Sequence, residues 1–464
     1  MSHIKGLIVL AGAAASLTGS AFAAEPTVSR DEIRAIVSEM MADAETRSSL
    51  LQGGGSAGYD GSRFFIMGGE NNAFRLNVGG FVQIRYTMNF RDDQGASGNE
   101  WSGGFQNRRT VVGFSGYAGG KDTLQYNVRV ISSNGGSLSF DDAFARLGLG
   151  DGWWFRAGQY KPAFLKEELN SDVFTLTADR GVVNGLFTLG RSQGAGLTYE
   201  TDNFDFAVDF HEGANRQNTS FTNGLTEVNT TTNNGNILLV PAAADYAFAA
   251  RANWIFAGTR DQLKDYTSKQ GEGFAGQLGA ALNFQQSANN GARGNPAAAG
   301  PPVVPARFDA DQLVLGYTVD ASIETNGFNA FAAFVGQHTD VNAVGVTGGL
   351  DNIDDFGVVL QAGFRIVENT ELFGRYDWVY VDGDRGNNQT RNHNFLTFGV
   401  NQYVMGHAAK FTVDTVFSLN RTGNDANASR FGAFLNDGFS NTTGLLGTNK
   451  GAEVAVRAQF QVMF

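Results

Sequence analysis

Residues 190–194 read Gly-Arg-Ser-Gln-Gly and match the pattern that presents a nucleophilic serine in many hydrolases. That chemistry needs a strand before the serine and a helix after it, whereas the residues after Ser192 alternate as a strand does. No partnership of histidine and aspartate suggests itself nearby. We interpret the match as chance in a glycine-rich chain, and the sequence predicts that the protein is not an enzyme.

Metal chemistry finds equally little support in the sequence. The histidines are scattered singly, without the spacing of metal ligands: His3, His211, His338, His393 and His407. Two acidic groups, Asp92-Asp93 and the segment 351–355, fall in loop-like stretches. They could ligate Ca²⁺, but solvated loop charge is the favoured interpretation. No cofactor and no metal site are predicted.

Arginine offers a different chemistry, because it supplies 26 of the 34 basic residues. Its planar guanidinium binds phosphate and carboxylate oxygens with two parallel hydrogen bonds. Six arginines fall on the polar face of the first five predicted strands: Arg75, Arg85, Arg109, Arg129, Arg146 and Arg156. A column of such charges would favour anions in a narrow aqueous lumen. For any single arginine, a structural ion pair across the lumen is an equally good interpretation.

The elements that would position these arginines are strands with one apolar and one polar face. The last is the clearest, since Val454, Val456, Phe460 and Phe464 alternate with polar residues such as Arg457. Sixteen segments of this kind are predicted, over residues 74–90, 105–118, 121–133, 137–149, 153–161, 190–201, 203–213, 244–257, 272–287, 309–324, 326–341, 352–367, 369–382, 391–405, 407–421 and 450–464. Each has about the length that crosses a bilayer as a tilted strand.

The connections between these segments alternate between tight turns and longer polar loops. An even strand number with short turns on one side and long loops on the other is typical of outer-membrane barrels. A soluble, secreted all-β protein is the alternative, but it would expose apolar surface on nearly every strand. The sequence therefore predicts an all-β fold, a sixteen-stranded antiparallel transmembrane β-barrel over residues 74–464.

The amino terminus indicates export from the cytoplasm. Lys5 precedes an apolar stretch and the small-residue segment 21–23, as in a secretory signal, so residues 1–23 are predicted to be removed. The formal net charge of -12 argues against a nucleic-acid partner. The chain has no cysteine, so disulfides cannot hold it together after export.

Residues 27–51 carry a different pattern, that of a short helix in the periplasm. Ser29 and Glu32 have the spacing of a capping box, and Ile33, Val37 and Met40 share one helical face. A coiled coil formed with copies of itself and a frayed linker are both compatible with this stripe. Residues 52–73, which begin with a run of glycines, are predicted to be a linker.

The segment 162–189 is the most distinctive loop, because loops of this length in a compact barrel are usually functional. It carries Lys166 and Arg180 among several acidic residues, including Glu167 and Asp179. We expect it to fold into the barrel and narrow the lumen.

Residues 108–187 resemble the phosphate-selective porins O and P. The similarity lies in Arg108-Arg109-Thr110-Val111-Val112-Gly113-Phe114, in Phe140-Asp141-Asp142-Ala143-Phe144, and in Gly158-Gln159-Tyr160-Lys161-Pro162 with Glu167-Glu168-Leu169-Asn170-Ser171. The resemblance implies a trimeric, sixteen-stranded anion channel lined by arginine and narrowed by lysine and arginine near its third outer loop. On this sequence it implies roles for Arg109, Arg146, Arg156, Lys161 and Lys166. The carboxy-terminal Phe464 is similar to the aromatic residue that barrel-assembly machinery recognises.

The sequence thus predicts an outer-membrane porin that passes small anions by diffusion, phosphate or polyphosphate among them. The predicted pore-lining residues are Arg75, Arg85, Arg109, Arg129, Arg146, Arg156, Lys161 and Lys166. The expected partners are outer-membrane lipid, small anionic solutes and two further copies of the chain. A non-selective general porin and a structural or adhesive barrel are the alternatives, since the later predicted strands place acidic residues inside.

Overall fold

A computed structural model describes residues 55–60, 63–91, 101–133, 136–218, 244, 246–286, 310–343, 352–382, 391–422, 439–448 and 452–464. Of residues 310–312 and 341–343 it describes the backbone alone. The predicted signal sequence at 1–23 and the predicted helix at 27–51 lie outside these residues. Among the helices of the described segments, none is long and apolar enough to cross a membrane.

The described residues form eighteen strands. They are β1 Ser56–Tyr59, β2 Phe64–Gly68, β3 Phe74–Arg91, β4 Trp101–Ala118, β5 Leu124–Ser132, β6 Leu138–Gly150, β7 Trp153–Tyr160, β8 Ser192–Glu200, β9 Phe204–His211, β10 Tyr246–Ala257, β11 Ala275–Gln286, β12 Ala310–Thr325, β13 Phe328–Ala343, β14 Ile353–Val367, β15 Thr370–Tyr380, β16 Asn392–Tyr403, β17 Ala409–Ser418 and β18 Glu453–Met463.

Strands β3 to β18 make one closed antiparallel sheet. Each pairs with the next along the chain, and β18 returns to β3 from Glu453 opposite Arg91 to Met463 opposite Phe81. The ring confirms the predicted sixteen-stranded barrel, and every predicted strand overlaps one of its members. Closure leaves no free sheet edge around the ring.

The barrel wall has an apolar outside and a polar inside, as the alternation of residues predicts. On β18, Phe460 is 44% exposed, whereas its neighbours Gln459 and Gln461 are at most 2% exposed. The same contrast separates Phe210 from Asp209 on β9. Because successive strand residues point to opposite faces, one register fixes which side chains enter the lumen.

Seven connections at one end of the barrel, here called the turn end, are mostly short. They are 119–123, 151–152, 201–203, 258–274, 326–327, 368–369 and 404–408. The link between β12 and β13 is a two-residue turn in which Asn326 and Gly327 have φ of 42° and 82°. Positive φ at both positions matches the right-handed twist of paired strands, and asparagine followed by glycine tolerates it well. The other end carries the long connections.

The segment 52–73 is not simply a linker, which corrects the prediction from its glycines. Its strands β1 and β2 form a hairpin, and β2 pairs with Phe74–Val78 of β3. Beyond the last β18 pair, Gly80 exchanges two backbone hydrogen bonds with Phe464, at 2.8 and 3.0 Å. The apolar alternation of Phe64 and Ile66 was too short to separate from a loop by pattern alone.

Residues 162–189, here called the inner loop, run through the interior of the barrel. They contain the short helices Lys166–Leu169 and Val182–Phe187, and most of their side chains are buried. The second helix packs its apolar residues against Val335 of β13 and Val359 of β14, so the main hydrophobic core lies inside the barrel.

Candidate functional site in the barrel interior

Three arginines of the barrel wall surround one carboxylate of the inner loop. Asp179 accepts hydrogen bonds from Arg85 Nη2 at 2.8 Å, Arg108 Nε at 2.7 Å and Arg109 Nη2 at 2.9 Å. Arg85 comes from β3 and the other two from β4. We call these three side chains the arginine cradle.

A β-bulge explains how two consecutive residues of one strand reach the same carboxylate. On β4, Arg109 lies opposite Gln83, but the next pair joins Asn107 to Ile84, so Arg108 is the extra residue. A bulge of this kind lets adjacent side chains point to one face, which strict alternation forbids. Arg108 was absent from the predicted pore-lining set for this reason, although the Arg-Arg doublet was the available signal.

A second β-bulge turns two consecutive aspartates to the same face of the sheet. The pairing of β5 with β6 shifts between Val128 and Val130, which brings both Asp141 and Asp142 against Arg129 at 3.2 and 3.3 Å. Arg191 binds the same two carboxylates at 2.8 and 2.7 Å. The two motifs that carry the family resemblance in β4 and β6 thus become two neighbouring charged clusters.

Further ion pairs hold the inner loop to a second part of the barrel wall, at β15. Glu167 of the loop binds Arg375 at 2.6 Å, and Arg375 also binds Asp377 at 2.7 Å. Within the loop, Arg180 binds Asp172 at 2.6 Å. The loop therefore has charged contacts with two separate parts of the wall.

The predicted pore-lining residues not yet described also have partners. Arg75 binds Asp60 at 3.2 Å, Arg146 binds Glu200 at 2.7 Å, and Arg156 binds Asp209 at 2.7 Å. Arg146 and Arg156 additionally lie over aromatic rings, with the guanidinium carbon 4.2 Å and 4.1 Å from the ring centroids. These arginines are held in fixed geometry, and each of the three has its charge compensated by a carboxylate.

The two predicted lysines donate to oxygens of the loop region. Lys161 Nζ lies 2.5 Å from the backbone oxygen of Glu168 and 3.6 Å from its carboxylate. Lys166 Nζ donates to Gln277 Oε1 at 2.9 Å and to the backbone oxygen of Leu263 at 3.3 Å. Lys166 is buried and the side chain of Lys161 is 10% exposed, so neither is a freely solvated charge.

The later strands also place several arginines inside beside an aspartate. Arg251 binds Asp320 at 2.8 Å, and Arg457 binds Asp414 at 2.6 Å. The charges of Asp320 and Asp414 are thus balanced locally. This pairing, together with that of Arg375, could not be anticipated from one strand at a time.

A cavity of about 1320 Å³ occupies the turn end of the barrel. Ser171, Val173 and Phe174 of the inner loop form part of its lining. Eight basic residues line it: Arg63, Arg75, Lys121, Arg129, Arg146, Lys264, Lys269 and Arg365. Three acidic residues line it: Asp261, Asp265 and Glu272. The lining of this turn-end cavity is therefore strongly basic, although the whole chain is acidic.

Three lysines of this lining, like Arg365, have no ion-pair partner in the described part of the chain. No described carboxylate forms an ion pair with Lys121, Lys264 or Lys269. All three lie in the turn-end connections rather than in strands. They give the cavity a positive field.

Electrostatics in the inner loop favour charged forms at its acidic positions. Burial alone would raise the pKa of Asp179, but attraction to the three cradle arginines outweighs it and holds the pKa well below its usual range. Burial likewise opposes the charge of Asp172, and Arg180 and Arg109 again lower its pKa. In contrast, burial lowers the pKa of Lys161 and of Lys166 to about 8.

The serine of the hydrolase-like pattern lacks the setting that its chemistry needs. Ser192 begins β8, so a strand follows it instead of a helix. Its hydroxyl donates to the backbone oxygen of Gln193 at 3.3 Å.

Of the acidic groups considered for Ca²⁺, residues 92–93 and 351 lie outside the described residues. Asp354 binds His338 at 2.8 Å.

Comparison with known proteins bears on the fold of this chain. No protein-family model matches the chain, and no curated protein matches it by sequence. Among solved structures it is similar to an anion-selective porin from Comamonas acidovorans, with a TM-score of 0.52 and 12% identity over 84% of this chain and 99% of that one. It is similar to OmpF of Salmonella typhi in complex with daunomycin, with a TM-score of 0.51 and 14% identity over 84% of this chain and 99% of that one. OmpT of Vibrio cholerae, an outer-membrane protein, gives a TM-score of 0.50 and 11% identity over 84% and 98%. The chain has the fold of the outer-membrane porins.

Proposed function

We propose that this protein is an outer-membrane porin, a passive diffusion channel for small anions. The basic lining of the turn-end cavity carries the proposal. Eight cationic side chains line this chamber against three acidic ones. Four of the eight are paired with carboxylates outside the lining, so the positive field comes from the other four, Lys121, Lys264, Lys269 and Arg365. Such a field raises the local concentration of anions. The apolar exterior of the closed barrel supports insertion into a lipid bilayer.

Phosphate is the anion that we propose within this class. Its support is the arginine cradle, because guanidinium groups in a fixed fork suit tetrahedral oxyanions as well as carboxylates. We further propose a homotrimer, with the helix 27–51 in the periplasm and Arg129 and Arg146 among the side chains that line the path of the anion.

One observation favours the alternative of a structural barrel. The inner loop is tied to two separate parts of the barrel wall, through Asp179 to β4 and through Glu167 to β15. A barrel filled in this way would carry little or no current. A non-selective general porin would instead conduct anions and cations about equally.

Reversal potentials of the purified protein in planar bilayers under a KCl gradient separate these candidates. We expect a potential that indicates anion preference in the wild type. Replacing the unpaired lysines, as Lys121→Gln, Lys264→Gln and Lys269→Gln together, should lower the anion-to-cation permeability ratio by roughly twofold or more. The matched control changes the same cavity in the opposite direction: Asp261→Asn should raise the ratio.

Two results would contradict the proposal. Absence of current in correctly folded protein would support the structural barrel. A reversal potential that neither variant moves would show that the cavity charges do not set selectivity.

A further inference from the structure

The apolar outer face of the barrel contains a groove of about 500 Å³. Small residues from four adjacent strands, β12 to β15, form its floor: Ala321, Ala330, Ala332, Ala362 and Gly374. Cross-strand pairing makes them contiguous, since Ala332 lies opposite Ala321. Ala362 in turn lies opposite both Ala330 and Gly374. The floor is therefore one continuous depression across the sheet.

Larger apolar side chains border this groove. Leu360 and Phe398 belong to its lining and are 51% and 53% exposed. Toward the end with the long connections, a row of rings follows, with centroids 6.1 and 6.0 Å apart along Phe334, Phe356 and Tyr380. Aromatic rows of this kind flank the apolar band of outer-membrane barrels. The groove thus lies within the band that meets lipid, and Tyr380 marks the edge of that band.

The distance from the groove to this edge matches a lipid chain. Gly374 and Tyr380 are six residues apart on β15, which is about 20 Å along a strand. A strand tilt of about 40° reduces this to about 15 Å along the membrane normal, half of a hydrocarbon core of about 30 Å. A lipid with its head group at the level of Tyr380 therefore has a chain that reaches the groove.

Polar side chains lie on the outer face at that level. Trp378 Nε1 donates to Asn392 Oδ1 at 3.1 Å. The register of β16 with β17, continued three residues past its last pair, brings Arg421 opposite Asn392. Arg421 is exposed, and no described carboxylate forms an ion pair with it. A basic side chain at the edge of the apolar band attracts anionic lipid head groups.

We propose that the groove binds one acyl chain of an anionic lipid and that Arg421 pairs with the phosphate of its head group. A surface of small residues also suits packing against a second copy of the chain. The aromatic row and the exposed cation favour lipid, because both belong to a wall that faces the bilayer. This inference rests on the proposed insertion into the outer membrane and names a lipid partner for its outer face.

Native mass spectrometry of the delipidated protein, titrated in detergent with dimyristoyl phosphatidylglycerol, measures this binding. We expect the wild type to retain one such lipid per chain, and Arg421→Gln to bind it about fivefold more weakly. Dimyristoyl phosphatidylcholine has the same chains and no net charge, so its affinity should differ less than about twofold between the two proteins. Lys121→Gln, which removes an exposed cation at the turn end, is the matched control and should bind as the wild type does. Absence of a retained lipid, or an equal loss in both variants, overturns the proposal.

Filling the groove tests the chain-binding half of the proposal. In the double variant Ala332→Phe and Ala362→Phe, the rings occupy the floor, so both lipids should bind at least about tenfold more weakly. The matched control is the double variant Ala280→Phe and Ala145→Phe, since these exposed alanines lie on the outer face and outside the groove. Both variants keep apolar residues toward lipid, and the heat-modifiable band reports that each barrel is closed. Equal affinity of the filled variant and its control overturns the site.

A second copy of the chain on this face would give a different result. The wild-type oligomer would then bind no lipid in the groove, and filling the groove would dissociate the oligomer, which overturns the lipid site. Lipid retention is measured without current, so its failure is distinct from that of the channel. A protein that conducts anions but retains no lipid contradicts this inference alone.

Discussion

At the scale of single residues, the interior of this barrel is dominated by arginines that are already paired. Burying an ion pair gains little stability by itself, because desolvation of both groups offsets their attraction. Removing one partner, however, leaves a buried charge uncompensated and costs far more. The pairs of Arg251 with Asp320 and of Arg457 with Asp414 therefore fix geometry more than they add stability.

The two lysines of the inner region give a prediction about pH. Burial lowers the pKa of Lys161 and Lys166 to about 8, so both are mostly charged at neutral pH and mostly neutral above about pH 9. Raising the pH through this range removes up to two positive charges at these two positions. We expect the anion-to-cation permeability ratio from reversal potentials to fall by roughly twofold.

The control for this prediction replaces the titrating groups. In the double variant Lys161→Met and Lys166→Met, the ratio should be lower than in the wild type at neutral pH and should fall less between about pH 7 and pH 9. A wild-type ratio that stays flat over this range would contradict the prediction, as would an identical fall in the variant.

Sequence alternation located single residues well, and it failed where the backbone departs from alternation. Parity correctly put Arg85 and Arg109 inside, but it excluded Arg108, which a bulge turns to the same face. The cradle also needs Asp179, whose position depends on how the inner loop folds. No spacing along the chain encodes that contact, because the two sides are about seventy residues apart in sequence, as in the bond from Arg109 to Asp179.

At the scale of elements, the inner loop is held by an apolar anchor as well as by ion pairs. Leu186 is 2% exposed in the core that the helix Val182–Phe187 forms with the barrel wall. Truncating a buried leucine to alanine costs about 2 to 5 kcal/mol. In Leu186→Ala that cost should fall on loop attachment, since the strand pairs of the barrel do not depend on this helix.

Limited trypsin digestion of the folded barrel measures the effect. Cleavage after Lys166 and Arg180 should be at least about tenfold faster in Leu186→Ala, because proteolysis tracks the population of the opened segment. Leu197→Ala is the matched control: Leu197 lies on the outer face of β8 and is 45% exposed. Equal cleavage of the two variants would show that the anchor does not hold the loop.

The strands were predictable from sequence to a degree that the hairpin and the loop were not. A lipid-facing strand needs an apolar residue at every second position across the bilayer, and this long constraint leaves a clear period. The hairpin β1–β2 has only four and five residues per strand, which is too few for a period to emerge. The conformation of the inner loop depends on packing inside the lumen, and such packing leaves no fixed repeat in the sequence.

At the scale of the whole molecule, the turn-end cavity and the chain as a whole differ in the sign of their charge balance. The chain carries a net charge of -12, yet the turn-end cavity is lined by eight basic and three acidic residues. The overall balance argues against nucleic acid as a partner but does not describe the interior, because a solute inside a narrow lumen responds to the nearest fixed charges. Closure of the sheet creates that separate interior environment.

Closure itself can be tested at Gly80, where β3 meets the end of the chain. A Cβ at Gly80 would lie 2.2 Å from the backbone oxygen of Val111 and 3.1 Å from the ring of Phe464. The backbones of Gly80 and Phe464 cannot separate without cost, because they exchange two hydrogen bonds. We therefore expect Gly80→Val to prevent the ring from closing. This would be seen as loss of the compact, heat-modifiable band in electrophoresis of unheated samples.

Gly104→Val is the matched control on β4, since a Cβ there meets no described atom within 4 Å. A compact band from Gly80→Val would mean that the seam between β3 and β18 tolerates displacement, and the rigid ring that holds the arginine cradle in place would have to be reconsidered.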